Sequence, residues 1–242
     1  VVVVVQARMG SSRLPAKVLL DLGGEIALHR TLSRAARIPG VHQVVVATST
    51  EPADEVIAWA AEARGFSVTR GSEKDVLSRF LLAAQIHQAD VIMRVTSDCP
   101  LLDPAVSGLV LDGFLRSGTL GYASNVVTRA LPRGLDTEVF SRAALERAAD
   151  STDARAREHV TWGMYSHPDK FRCGEFLPAW VVPGLAAHRW TLDTLADYHF
   201  LASIYHRLGP TAGAASAQEV LDLLRREPAL QAINADISQV AV

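Results

Sequence analysis

Three short stretches hold residues that could grip a phosphorylated ligand. The first is the loop QARMGSSRLPAK, residues 6–17, which directly follows the valine run 1–5. It brings Arg8, Arg13 and Lys17 within ten positions, with Gly10, Ser11 and Ser12 between them. A triphosphate carries several negative charges, and closely spaced cations with approachable backbone amides are a fitting complement. The loop is neither a GxxxxGK[ST] phosphate loop nor a GxGxxG dinucleotide fingerprint. A solvated basic loop is the plain alternative. The second stretch is RVTSDCPLLDP, residues 94–104, where Asp98 stands just past an apolar run. A carboxylate at a strand end can hold Mg²⁺ together with substrate phosphates, or can simply form a turn before Pro100. Helix capping explains Asp103, followed by Pro104, and Cys99 reads as a packed small residue. The third is HRWTLDTLAD, residues 188–197. Asp193 could supply a second carboxylate to the same metal, whereas Asp197 sits at a capping-box position.

Two further stretches are less specific. In RGSEKDVLSRF, residues 70–80, Gly71 would allow close approach to a flat base, and Arg79 could reach a phosphate or base, or stay solvated. In 132–140 and 157–161, Asp136, Glu138, Glu158 and His159 interrupt apolar runs and could hydrogen-bond sugar hydroxyls; alone, such residues are more often structural. The other histidines show no spacing of a metal ligand set.

The elements that must position these residues follow from periodicity. Val-rich runs at 1–5, 41–48 and 90–96 suit strands buried on both faces, with a short strand at 66–69. Helices are expected over 27–37, 52–64, about 72–87 (Ser72 and Asp75 as a capping box) and 103–116. This alternation is an α/β order: a mostly parallel sheet with helices on both faces. The stretch 121–140 reads as a hairpin excursion around Pro132 and Gly134. Helices over 141–149 and 157–165, strands over 171–177 and 188–192, and capping boxes at Thr194/Asp197 and Ser216/Glu219 complete the chain.

Composition bounds the rest. In 242 residues, 49% are hydrophobic and 21% charged, enough for a sizeable core. The formal net charge of -2 argues against a nucleic-acid partner. Two distant cysteines without a CxxC argue against structural zinc. The run 1–5 is too short for a membrane span or a signal segment, so no membrane partner and a cytoplasmic location are expected. The first residue is not Met, so leading residues are expected to be missing or removed.

Together QARMGSSRLPAK, VVATS, DVLSRF, RVTSDCPLLDP, GLDTEVF, REHVT and RWTLDT, in this order from residue 1 to about 208, resemble the SpsF-like family. These are spore coat polysaccharide biosynthesis proteins related to cytidylyltransferases for acylneuraminate and 3-deoxy-manno-octulosonate. The resemblance implies a glycosyltransferase-A-like nucleotidyltransferase fold that transfers CMP from CTP to a sugar, with Mg²⁺ as cofactor and release of pyrophosphate. By matching motifs, Arg8, Lys17 and Asp98 would be catalytic. Ala7, Arg8, Gly10, Ser11, Ser12, Arg13, Lys17, Gly71, Arg79 and Asp98 would bind the nucleotide. Asp98 and Asp193 would hold the metal, and Asp136, Glu138, Glu158 and His159 would face the acceptor sugar. One departure is Ala16, where the family usually has Gly; a positive φ there would strain the loop. The chain is expected to be one domain over 1–242: a nucleotide-binding half (1–120), an acceptor-sugar and dimerisation half (121–208) that could serve a homodimer, and a C-terminal helical segment (209–242). The rivals are a glycosyltransferase using a nucleotide-sugar donor and a non-catalytic nucleotide-binding subunit.

Overall fold

The computed structural model describes residues 1–238. Residues 239–242, the end of the segment expected to be helical, lie outside the described residues. The strands are β1 (Val2–Gln6), β2 (Gln43–Ser49), β3 (Ser67–Gly71), β4 (Val91–Thr96), β5 (Tyr122–Ser124), β6 (Glu138–Ser141) and β7 (Cys173–Glu175). They form one seven-stranded sheet in the order β3-β2-β1-β4-β6-β5-β7. β1, β2, β3 and β4 pair parallel; β6 pairs antiparallel with both β4 and β5, and β7 follows β5 in parallel.

The valine run explains the centre of the sheet. Val3 and Val5 face one apolar cluster and Val2 and Val4 the other, all 4% exposed or less. Burying each such side chain contributes roughly 1.5–3 kcal/mol. The first cluster is covered by α1 (Ala27–Ala35), α2 (Glu55–Glu62) and α4 (Pro104–Ser117); the second by α3 (Val76–Ile86) and α5 (Arg142–Ala149). Short helices α6 (Ala154–Glu158), α7 (Trp162–Tyr165) and α8 (Pro168–Phe171) follow. A third apolar cluster joins α9 (Leu195–Leu208), α10 (Ala217–Arg226) and α11 (Ala229–Ala232) to Leu22, Leu101, Leu131, Leu135, Trp190 and Leu192. No helix among the described residues is long and apolar enough to cross a membrane.

Several local expectations change. Residues 188–192 do not form a strand. They make one isolated bridge, Arg133 with Arg189, because Trp190 and Leu192 are drawn into the third core instead of a ladder. The helix expected over 157–165 is broken in two: Val160 takes φ 20°, which no helix tolerates, between α6 and α7. Asp75, not Ser72, caps α3, accepting from Ser78 N at 3.0 Å, while Ser72 Oγ accepts from Asp75 N. The two strands of the 121–140 stretch are built into the sheet as β5 and β6, and the excursion is the connection between them, 125–137. The capping boxes at Thr194/Asp197 and Ser216/Glu219 are both present.

Candidate active site

The register pairs Gln6 with Thr96, and Ser97 N donates to Gln6 O at 2.9 Å. The loops after β1 and β4 therefore leave the sheet side by side. They do so where the strand order reverses, the crevice in which open α/β sheets bind ligands. The third segment arrives through backbone bonds: Leu192 N donates to Asp98 O at 2.8 Å, and Thr191 Oγ1 to the same oxygen at 3.3 Å. Asp193, the next residue, is thereby carried to Asp98 from a distant part of the chain.

The two carboxylates converge on one ammonium. Lys17 Nζ lies 2.6 Å from Asp98 Oδ2 and 2.6 Å from Asp193 Oδ1. Arg13 Nη2 is 3.3 Å from Asp193 Oδ2. Thr96 Oγ1 donates to Asp98 Oδ1 at 2.6 Å. Burial works against both charges, yet the pairing wins. Asp98 and Asp193 hold the Lys17 ammonium above its ordinary range, and Lys17 holds the Asp98 carboxyl below the usual carboxylate range. Asp197 does not join them. It is fully buried, caps α9 and receives the guanidinium of Arg189. Cys99 is buried with its thiol pushed well up by burial and by Asp98, so it is held as the thiol.

These groups line a cavity of about 250 Å³ with Gln6, Arg8, Ser11, Ser12, Thr96 and Ser97. Loop cations outnumber carboxylates here, Arg8, Arg13 and Lys17 against Asp98 and Asp193. Not every expected donor is available. The Ala7 amide is engaged with Ala47 O at 3.1 Å and the Ser11 amide with Met9 O at 2.8 Å. The amides of Gly10 and Ser12 donate to no group among the described residues. Ala16 does adopt the left-handed conformation, φ 57° and ψ 20°, at the turn that aims Lys17.

A second cavity, about 360 Å³, shares Thr96 with the first. Asp136, Glu138 and His159 line it, as the sequence suggests. Glu158 does not: it is exposed on α6 and lines neither cavity. Glu138 is held by Arg94 Nη1 at 2.5 Å and by the Tyr122 hydroxyl at 2.7 Å, and Arg129 grips Asp136 through both guanidinium nitrogens. Burial, reinforced by Glu138, pushes the Tyr122 phenol well above its ordinary range. Burial lowers the His159 imidazole, against the pull of Glu158, which favours the neutral ring. Sequence reasoning missed Arg94, Arg129 and Arg133, which also line this cavity. A charge inside the buried run DVIMRVT was the available signal for Arg94.

Gly71 and Arg79 line neither cavity; they pack on each other, and a Cβ at Gly71 would come within 2.9 Å of Arg79 Cγ. The Arg79 guanidinium is fully buried, and none of its nitrogens has a partner among the described residues. Burial lowers its proton affinity against the pull of Asp54, with Arg8 adding to the lowering. A buried guanidinium so placed demands an acceptor.

Comparison with known proteins gives the family. The cytidylyltransferase family model matches residues 2–207. The spore coat polysaccharide biosynthesis protein SpsF of Bacillus subtilis is 32% identical over 232 residues, 93% of this chain and 94% of that one. A 3-deoxy-manno-octulosonate cytidylyltransferase of Anaeromyxobacter sp. is 34% identical over 186 residues, 71% of this chain and 74% of its own. The solved structure of a cytidylyltransferase from Leptospira borgpetersenii matches with a TM-score of 0.89 at 30% identity, covering 99% of both chains. The chain has the nucleotidyltransferase fold and belongs to the cytidylyltransferase family of enzymes.

Proposed function

We propose that this enzyme transfers CMP from CTP to a hydroxyl of a sugar acid, releasing pyrophosphate, with Mg²⁺ as its cofactor. One observation carries the reading. Asp98 and Asp193, 95 positions apart, meet at Lys17 beside a cationic loop, next to a second polar cavity. The donor set suits a hard cation: two carboxylates already share one positive charge, and Mg²⁺ is commonly bound by one or two carboxylates plus phosphate oxygens and water. No cluster of three or more His, Cys, Asp or Glu ligands exists among the described residues, which fits a metal that arrives with phosphates. Bound there, Mg²⁺ supplies Lewis-acid neutralisation of phosphate charge.

Arg8, Arg13 and Lys17, with the amides of Gly10 and Ser12 and the hydroxyls of Ser11 and Ser12, would hold the triphosphate. Arg79, beside Gly71, would offer its unpartnered guanidinium to the nucleotide. Asp136, Glu138 and His159 would orient the acceptor in the second cavity; Arg94 and Arg129 are paired there with Glu138 and Asp136, which leaves Arg133 as the cation that would meet an acid's carboxylate. The acceptor hydroxyl attacks the α-phosphorus, the bond to the β-phosphate oxygen breaks, and pyrophosphate leaves. A water molecule or a side chain takes the hydroxyl proton. Residues 1–120 would serve the nucleotide and 121–208 the acceptor, within one working unit.

Pyrophosphate release is measured with each ribonucleoside triphosphate, Mg²⁺ and a panel of sugar acids including 3-deoxy-manno-octulosonate. The expected result is turnover with CTP and one or more of the acids. No pyrophosphate from CTP with any sugar, acidic or neutral, overturns the reading.

A further inference from the structure

Lys17 is seated on the oxygens that a metal would use. Its ammonium takes the facing pair, Asp98 Oδ2 and Asp193 Oδ1, at 2.6 Å each. The outer pair is also engaged. Asp98 Oδ1 accepts from Thr96 Oγ1 at 2.6 Å, and Asp193 Oδ2 faces Arg13 Nη2 at 3.3 Å and Arg189 Nη2 at 3.6 Å. The Lys17 side chain is only 12% exposed, so this is a built contact and not a surface pairing. A cation that binds both aspartates through their facing oxygens must take the place of the ammonium.

We propose that Lys17 is the resident counter-cation of the aspartate pair, and that a divalent metal is admitted only by exchange with it. This rests on the reading of Asp98 and Asp193 as metal ligands. The exchange is a partner swap. The metal takes the two carboxylates, and the displaced ammonium needs a new anion, which the nucleotide phosphates supply. Lysine suits the task because a compact ammonium on a flexible four-carbon stem can change partners by rotation alone. The backbone stays where it is, because Ala16 and the turn Lys17–Leu19 fix it and Leu19 N and Leu20 N close that turn at 2.9 and 3.2 Å. Metal and nucleotide therefore favour each other's binding, and by linkage the factor is the same in both directions. A metal offered alone has to compete with the ammonium for its ligands.

The test uses the full chain and Mn²⁺ alone, with free Mn²⁺ followed by electron paramagnetic resonance. Lys17→Met is expected to tighten Mn²⁺ binding without nucleotide by about tenfold or more, within the usual 5–150-fold range of coupling between sites. Arg13→Met removes the same charge next to Asp193 but leaves the bridge. It is expected to tighten binding by less than about threefold, the size of a screened charge effect. Unchanged or weaker Mn²⁺ binding in Lys17→Met overturns the exchange, as does equal tightening in the two variants. The double variant Asp98→Asn/Asp193→Asn separates the two readings. If it binds Mn²⁺ as the wild type does, the metal assignment itself fails. A second measurement keeps the wild-type sequence: Mg²⁺ alone should raise labelling of Lys17 by an amine-directed reagent, read by mass spectrometry. No change in that labelling at saturating Mg²⁺ also overturns the exchange.

Discussion

Replacing Asp98 by Asn separates its chemical role from a structural one. The side chain keeps its shape and can still accept the Thr96 hydroxyl, which lies 2.6 Å from Oδ1. It then turns an NH₂ group toward the Lys17 ammonium, 2.6 Å from Oδ2 in the wild type, so two donors face each other. Lys17 retains Asp193 at 2.6 Å, so no charge is left without a partner. Breaking a fully buried ion pair costs about 3–5 kcal/mol. Here Asp98 is 20% exposed and Lys17 keeps its second carboxylate, so the stability loss should be nearer ~1–3 kcal/mol. For a chain of this size that is a fall in Tm of roughly 2–12 °C. The catalytic loss should be larger. Removing one preorganised electrostatic group costs about 3 kcal/mol or more, that is a kcat/KM at least ~10²-fold lower.

The assay is pyrophosphate release from CTP across a range of Mg²⁺, alongside a thermal melt of the same preparation. The expected outcome is a folded protein at assay temperature with turnover down by two orders of magnitude or more. Turnover within threefold of wild type would remove Asp98 from the site. Loss of activity that only tracks loss of folded protein would make Asp98 a structural residue.

Asp103, five positions on, should behave in the opposite way. It is 4% exposed and caps two helices, accepting from Ala105 N and Val106 N at the start of α4 and from Ala217 N at the start of α10. Asp103→Ala should cost ~2–4 kcal/mol in denaturant unfolding, a lost cap plus a stranded buried amide, while turnover per folded molecule stays within about twofold. Ala16→Gly should raise Tm by up to roughly 6 °C. The φ of 57° costs an L-residue about 1–2 kcal/mol, and the added chain entropy of glycine gives back about 0.5–1 kcal/mol of that. A lower Tm would mean that the turn carries less strain than the chain entropy of glycine costs. The Lys17 cluster also fixes a pH window. Asp98 titrates below its ordinary 3.8, so its contribution is present above that value and lost as pH falls through the depressed one. Lys17 titrates above its ordinary 10.5, so its contribution is present below that value and lost as pH rises through the elevated one. These two groups should therefore add no slope to the wild-type stability between about pH 5 and 9.5 in urea titrations, whereas Lys17→Met, which leaves the two carboxylates facing each other, should gain stability as pH falls through the acidic range; a variant with no such gain would contradict the pairing.

The sequence is most readable where one local rule decides the outcome. Five consecutive valines admit little besides a strand buried on both faces, and Thr194 with Asp197 admits little besides a capped helix start. Residues 188–192 show the limit. Their apolar pattern is real, but Trp190 and Leu192 spend it on the core beneath α9 and α10, and burial alone does not distinguish that from a ladder. The cationic loop and Asp98 could be singled out because they follow β1 and β4, and strand ends are where such residues act; the same rule singles out Asp193, although no strand directly precedes it. The second cavity could not be read so fully. Arg94 meets Glu138 through an antiparallel register, and Arg129 meets Asp136 across a loop, so no periodicity in the chain connects the partners. Arg79 shows a third kind of limit: one arginine on a helix face looks solvated until packing by Gly71 and its neighbours has buried it.

The 125–137 connection also sets the position of the second aspartate, which ties the two cavities into one device. Arg133 lines the second cavity with its side chain, while its backbone amide donates to His188 O at 3.3 Å and its carbonyl accepts from Trp190 N at 2.7 Å. Gly134 makes that approach possible: at φ 106° it has no Cβ, and one there would sit 2.6 Å from Trp190 O. Three residues past Trp190, Asp193 faces the cationic loop. The carboxylate facing the cationic loop is thus tied to the backbone of the second cavity's own wall, and Leu192 N and Thr191 Oγ1, both bonded to Asp98 O, support it from the other side. The loop 125–137 is one of the supports that bring Asp193 to Asp98. The wall of the second cavity and the aspartate pair therefore share backbone supports, so that loosening one should loosen the other.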